Sequence, residues 1–341
     1  MMLTCVAILA VDFEAFPRSS AKTEEFGFSL MDLGAGSAVF SSGLVSRYAM
    51  AKPLGPFRRT AQQALPMLAL WLGRLVTVKA VDYQEHVSEY GVHWNLFATM
   101  ACVWLLVGAA RSCLPRRVPL LPALLLGLAA YQAVLVRVPG ATEWMLGADR
   151  RAGLVAANRE GLFGVLGHAA LYAAGEAAGA GLVWPAATAG RASAALRSLA
   201  WAAAAAWACC GALHAWVQPC SRRLTNAAFC AWVVGNNLSL LAAVLAGDAY
   251  ADRLRNDVNS SARYALPCVK AVSANQFGCF LVGNLLTGAV NLSVNTMQVG
   301  TAGAVATLSV YTLFLVGLAL EAGKVTGAGS GLYSRMTGRG R

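Results

Sequence analysis

The stretch VPLLPALLLGLAAYQAVLV, residues 118–136, holds no charged side chain, with Arg116 and Arg117 before it and Arg137 after it. Crossing the hydrocarbon core of a bilayer takes about 20 apolar residues in a helix, so this run predicts a membrane span. Comparable runs recur at 28–46, 60–78, 91–110, 161–184, 192–217, 227–247, 271–296 and 301–321, about nine in all. The whole chain agrees: of 341 residues 57% are hydrophobic and 13% charged, with mean hydropathy +0.56. A water-soluble domain of that length needs far more polar surface. Lipid offers the backbone no hydrogen bonds, so the spans must be helices. The expected fold is all-α, a polytopic integral membrane protein with about nine full transmembrane helices and a partial N-terminal one.

That partial run, residues 1–11, has no basic start and leads into an acid instead of a small-residue cleavage site, unlike a signal peptide. It is expected to continue a helix that begins upstream. No polar connector is long enough to bury a core of its own, which predicts one multi-pass domain over 1–323. The Gly-rich tail 324–341 is expected to be disordered. Nine cysteines, an odd number with no C-x-x-C, read as packing residues and not as a disulfide or metal framework.

The formal charge of +11 would suit nucleic acid only if the cations gathered on one soluble face. They sit instead in short loops between apolar runs. Arg47, Arg58, Arg111, Arg117, Arg197, Arg253, Lys270 and the tail's Arg335 fall on alternate loops of one side, the cytosolic side by the positive-inside rule. The C-terminus is therefore expected in the cytosol. The opening stretch, the 79–91 loop and the Arg222–Arg223 loop fall on the opposite side, the lumen of an endomembrane.

Polar groups within such a chain need a partner or a wet cavity. In LAVDFEAFPRSSAKTEEFG, residues 9–27, Asp12 and Lys22 are separated by Pro17, which lets the chain fold back. They are either a reactive acid–amine pair or, with Arg18, interfacial anchors. In KAVDYQEHVSEYGVHWN, residues 79–95, a helix would set His86, Glu89 and His93 on one face. With Glu85 and Asn95 these could serve acid–base chemistry, substrate hydrogen bonding or a metal, though no fourth ligand is evident; interfacial packing of the aromatics is the plain alternative. Asn284, Gly288, Asn291 and Asn295 fall on one stripe of the run that also holds Asn275, either interhelical glue or the polar wall of a headgroup cavity. Asp32 and the pair Asn236–Asn237 allow the same two readings. Arg159 and Glu160 open an apolar helix, where Glu complements the dipole and Arg could hold a phosphate. No general hydrolase, nucleotide-binding or zinc-protease motif is present in the sequence.

Five blocks, LAVDFEAFPRSSAKTEEFGFSLMDLGAG, YQEHVSEYGVHWNLF, NREGLFGVLGHAALYAAG, SRRLTNAAFCAW and NQFGCFLVGNLLTGAVNLSVNT, together resemble the glycosylphosphatidylinositol inositol acyltransferases, the PIG-W family. The resemblance runs in the family's order from residue 3 to about 320. It implies an endoplasmic-reticulum enzyme that moves a fatty acyl group from acyl-CoA to the inositol 2-hydroxyl of glucosaminyl-phosphatidylinositol. Acyl-CoA is then a co-substrate, with no cofactor or metal; the partners are these two substrates and membrane lipids, with no nucleic acid. The resemblance also implies Asp12 as the base that takes the hydroxyl proton and Lys22 as the cation facing the oxyanion, with His86 and His93 as alternative bases. Arg18, Glu85, Glu89, Asn95, Arg159, Asn275, Asn284 and Asn291 are the candidate substrate contacts. Two departures stand out: family members carry further spans ahead of the LAVDF block, and their common FPRR reads Phe16–Pro17–Arg18–Ser19 here. A transporter or lipid flippase and a non-enzymatic scaffold are the competing classes, since intramembrane acids, amines and asparagines also line translocation paths.

Overall fold

The computed structural model describes residues 2–52, 55–81, 90–114, 119–147, 149–185, 192–256 and 267–325. Among these, every regular element is helical. In chain order they are α1 Met2–Ala10, α2 Leu33–Leu44, α3 Phe57–Val81, α4 Leu96–Cys113, α5 Leu120–Arg137, α6 Ala141–Leu146, α7 Leu154–Ala157 and α8 Arg159–Ala178. The later helices are α9 Ala192–Trp216, α10 Ala227–Asn256, α11 Pro267–Ala274, α12 Gln276–Ser293 and α13 Thr301–Val325. They form two compact units, one of residues 22–257 and the other of residues 1–21 with 258–341.

In the 22–257 unit, α8 is the hub. Its sequence, REGLFGVLGHAALYAAGEAA, is small and only mildly apolar, and it packs against α2, α4, α5 and α10. Residues on all its faces are buried, among them Arg159, Glu160, Gly164, His168, Leu171 and Glu176. Small residues permit this density: a Cβ on Gly43 of α2 would strike the Tyr172 carbonyl of α8, and one on Gly175 would strike the Phe40 carbonyl of α2. The two backbones therefore touch, as in tightly packed membrane helices. Around this contact a core of Val39, Val103, Leu128, Leu171, Phe229 and Val233 fills in. After Ala178 the helix widens into a π turn over Gly179–Val183.

The other unit is built on α1, which lies against α12 and α13, with α11 against α13. Its core is Cys5, Leu9, Phe13, Ala304, Tyr311 and Leu315. The Tyr311 hydroxyl donates toward the carbonyls of Gly283, at 3.1 Å, and Cys5, at 3.3 Å, bridging α12 and α1.

Among the described residues, five helices are long and apolar enough to cross a membrane: Leu96–Cys113, Leu120–Arg137, Ser193–Trp216, Ala227–Gly247 and Thr301–Gly323. Several expose large apolar side chains, including Leu126, Trp201, Leu240 and Leu313, each more than 60% accessible, which suits lipid and not water. The other four expected runs take different forms. In 28–46, helix starts only at Leu33, because Asp32 is drawn into a polar network, so α2 is about 18 Å long. In 60–78, the helix α3 continues unbroken through Pro66 and Arg74. In 161–184, α8 carries Glu160, His168 and Glu176 and gives way to the π turn. In 271–296, the chain breaks at Asn275 between α11 and α12 and ends its helix at Ser293.

Candidate functional site

Asp12 follows α1 in a loose continuation of its last turn, where Asp12 N donates to Leu9 O at 3.2 Å and Phe13 N to Ala10 O at 3.1 Å. Phe13, 1% exposed, plugs into the apolar core and leaves Asp12 half-buried at the edge. Two side chains then fix the acid. Asn291, near the end of α12, donates from Nδ2 to Asp12 Oδ2 at 2.8 Å. Pro17 breaks the chain and starts a short 3₁₀ turn at Arg18, whose guanidinium folds back to donate to Val11 O at 3.1 Å and Phe13 O at 3.3 Å. Arg18 thus grips the backbone on both sides of Asp12.

Lys22 belongs to the 22–257 unit, where its side chain is exposed. The next residue, Thr23, donates to Asp32 through both its amide, at 3.2 Å, and its hydroxyl, at 2.8 Å. Asp32 is 1% exposed and takes a third bond from Arg222 Nε at 2.9 Å. Gly27 N to Cys220 O, at 2.8 Å, and Ser221 Oγ to Glu25 O, at 2.5 Å, complete the tie between the charged stretch and the 220–222 loop. The chain around Lys22 is therefore pinned from below by a buried acid and an arginine.

A second buried acid sits beside the first. Glu160, 3% exposed, accepts from both terminal nitrogens of Arg150, at 2.8 and 2.5 Å, and from Arg223 at 2.9 Å. Burial pushes its carboxyl up, but the bonds from Arg150 and Arg223 outweigh this and hold it below the ordinary carboxylate range. Arg159, 2% exposed, lies over the Trp144 ring and donates to Asp149 O at 2.9 Å and to Gly147 O. These guanidinium bonds go to the carbonyls of Gly147 and Asp149, in the same unit. Tyr90, Glu160, His168, Arg222, Arg223 and Thr225 line one small space of about 10 Å³, room for a single water.

A third acid, Glu176 of α8, pairs with Arg111 and accepts from Ser46 Oγ at 3.2 Å, while Arg111 stacks 3.9 Å over the Tyr48 ring. Glu176 and Tyr48 also border a cavity of about 280 Å³ whose other walls include Leu120, Leu121, Ala173 and Gly181.

The helical face expected for His86, Glu89 and His93 does not extend to His93. Residues 90–95 are not helical, because Gly91 adopts φ +126°, a left-handed conformation that ends any helix there. His86, Glu85 and Glu89 lie outside the described residues. His93 is held through its backbone, donating to Asn158 Oδ1 at 2.8 Å and accepting from Trp71 Nε1 at 2.6 Å. Asn95 caps α4, its Oδ1 accepting from Phe97 N at 3.0 Å and Ala98 N at 3.2 Å.

The expected asparagine stripe also separates. Asn275 and Asn284 donate to carbonyls four residues back in their own helical turns, at 2.9 and 2.7 Å, and Asn284 is exposed. Asn295 lies beyond α12, where its carbonyl accepts from Gln298 N at 3.0 Å at the start of the turn Thr296–Gln298. Asn291 instead reaches Asp12. The partners that single-sequence reading did not assign are Arg222 for Asp32, Arg150 and Arg223 for Glu160, and Arg111 for Glu176. A signal was present: three acids inside apolar sequence need cations, and the Arg222–Arg223 pair stands directly before an apolar run.

A family profile described as GWT1 matches residues 1–322. The "GPI-anchored wall transfer protein 1" of Aspergillus oryzae is 36% identical over 94% of this chain and 69% of its own length. The "Glucosaminyl-phosphatidylinositol-acyltransferase PIGW" of Bos taurus is 32% identical over 90% of this chain and 68% of its own. The wall transfer protein of Yarrowia lipolytica is 34% identical over 94% and 70%. A profile that begins at the Asp12 helix and extends almost to the end of α13, with relatives matched over nearly the whole of the same stretch, leaves one assignment: the chain belongs to the GWT1 family.

Proposed function

We propose that this chain is a membrane O-acyltransferase, moving a fatty acyl group from acyl-CoA to the inositol 2-hydroxyl of glucosaminyl-phosphatidylinositol in anchor synthesis at the endoplasmic reticulum. The named activity of the bovine relative supports the acceptor. On the structural side, the observation that carries the reading is Asp12: a half-buried carboxylate at a helix end, its backbone gripped by Arg18 and its Oδ2 by Asn291.

A sugar-ring hydroxyl attacks poorly until a base takes its proton. In the proposed reaction Asp12 takes that proton as the oxygen bonds to the thioester carbonyl carbon. Lys22 supplies positive charge for the resulting oxyanion. Collapse of the intermediate breaks the carbon–sulfur bond, and the departing thiolate takes up the proton held by Asp12. The products are the inositol ester and free CoA, with no covalent acyl-enzyme. His93 and His86 remain alternative bases for the same step.

We further propose that α2, α3, α8 and the α11–α12 pair complete about nine bilayer crossings, α8 shielded from lipid by its neighbours. The C-terminus is then cytosolic and the catalytic face lumenal. A glycosylation shift at Asn259, whose sequon falls in a loop assigned to the cytosol, would reverse that orientation.

The test of the reaction is transfer of labelled acyl groups in microsomes from cells lacking inositol acylation. The wild-type chain restores labelling, and Asp12→Asn abolishes it. Full labelling by Asp12→Asn would remove Asp12 as the base, and transport of lipid without consumption of acyl-CoA would replace the reaction with translocation.

A further inference from the structure

We propose that Asn291 is a positioning residue for the reaction: its amide fixes the rotamer of the Asp12 carboxylate and leaves one carboxylate oxygen directed at the substrate hydroxyl. The proposal rests on the acyl-transfer reading above, and gives α12 a task that the asparagine-stripe expectation did not.

The proposed base enters the reaction ionised, and an ionised carboxylate oxygen can only accept, so in that state the group 2.8 Å from Asp12 Oδ2 is the Asn291 NH₂ and not its oxygen. That choice is costly for Asn291 itself, because its Oδ1 is buried and no described residue donates to it. An asparagine free to satisfy its own surroundings would not settle this way. Asn275 and Asn284 show the ordinary solution, donating to the carbonyl four residues back. Asn291 forgoes that bond and spans from α12 to the chain after α1, 279 residues away in sequence. The acid is the dominant partner in setting the amide, and the amide in turn removes one oxygen of the acid from the search for a proton.

Among the described residues of this unit the setting holds little other charge, with Glu14 exposed two residues along. Of the helices packed on α1, α12 contains no Asp, Glu, Lys, Arg or His, and in α13 only Glu321 and Lys324 are charged, both at its C-terminal end. Cys5 and Tyr311 belong to the apolar core of this unit, and Cys279 lies in a neighbouring buried cluster. The cation described beside Asp12 is Arg18, which contacts the flanking backbone carbonyls and the Met297 sulfur. A neutral donor therefore orients the carboxylate without cancelling its charge, whereas a second guanidinium would make it a weaker base.

The experiment compares wild type, Asn291→Ala, Asn291→Ser and Asn291→Asp in the full chain, measuring transfer of a labelled acyl group from palmitoyl-CoA to a synthetic glucosaminyl-phosphatidylinositol across pH. Asn291→Ala is expected to lower kcat roughly 10- to 100-fold with KM for both substrates unchanged, since the amide orients the base and touches neither substrate. Asn291→Ser, which retains a donor on a shorter arm, recovers part of that loss and covers the case in which the alanine variant fails to accumulate. Asn291→Asp is the sharpest arm, because it is nearly isosteric. Two adjacent carboxylates share one proton, and that proton can replace the missing N–H; its activity is therefore retained at lower pH and falls as pH rises and the shared proton is lost. A role confined to packing would leave the shape of the pH profile unchanged in Asn291→Asp. That result, or a rise in KM without a fall in kcat in Asn291→Ala, overturns the proposal while the acyl-transfer reading stands. Absence of acyl transfer by the wild-type chain overturns both.

Discussion

Glu160 and Asp12 are both carboxylates inside a greasy chain, and the protein treats them in opposite ways. Glu160 is fully buried and receives three bonds from two guanidiniums. Asp12 is half-buried and receives one bond from a neutral amide. The first arrangement pins the charge in place and leaves the acid no spare basicity. The second holds one oxygen of the acid through a neutral donor. If Asp12 is the proposed base, the charge of a carboxylate's donors separates its task from that of Glu160 better than burial does.

The contrast can be broken most directly at Asp12. Asp12→Asn should reduce acyl transfer by at least about 100-fold, the scale of a lost general base, without lowering the unfolding temperature in detergent. An equal loss of stability would place Asp12 with Glu160 as a structural acid. Glu160→Ala should do the reverse, destabilising by about 3–5 kcal/mol because the buried Arg223 and the largely buried Arg150 lose their carboxylate. Activity per folded molecule should survive, as measured by thermal unfolding and by the specific activity of the folded fraction.

A smaller effect sharpens the same distinction through pH. The carboxyl of Glu160 is held below its ordinary range in the fold, so its contribution to stability is present above the unfolded value and disappears as pH falls through the folded one. Acid unfolding of the wild type should therefore steepen below the usual carboxylate range, and Glu160→Gln should flatten that limb. Smallest is Asn95→Ala, which removes the two bonds capping α4 and should cost about 1 kcal/mol with no change in kcat. A change in kcat there would support Asn95 as a substrate contact.

Much of this was legible in residue order. Runs such as 118–136 and 301–321 announce apolar helices by length and composition alone, and both form. Asp12 was visible as an acid where an apolar helix ends. Other features depend on partners far apart in sequence. Asp32 meets Arg222 across 190 residues and so stops α2 from starting earlier, which no local pattern in 28–46 reveals. The break at Asn275, where side chain and backbone amide both donate to the Ala271 carbonyl, is masked by apolar content. The His93 face failed because a helical period was read through Gly91, whose φ of +126° no helix accepts. Asn291 was legible as polar and out of place; its bond to Asp12 depends on the α1–α12 contact, which no local pattern reveals.

The contact between α2 and α8, carbonyl against glycine at Gly43 and Gly175, has a mechanical consequence. Helices normally slide past each other on a cushion of side chains that can change rotamer. Here that cushion is missing, so relative travel of the two rods would drive rigid peptide groups together. The pair behaves as a fixed keel, and whatever breathing admits a lipid must come from the helices mounted around it.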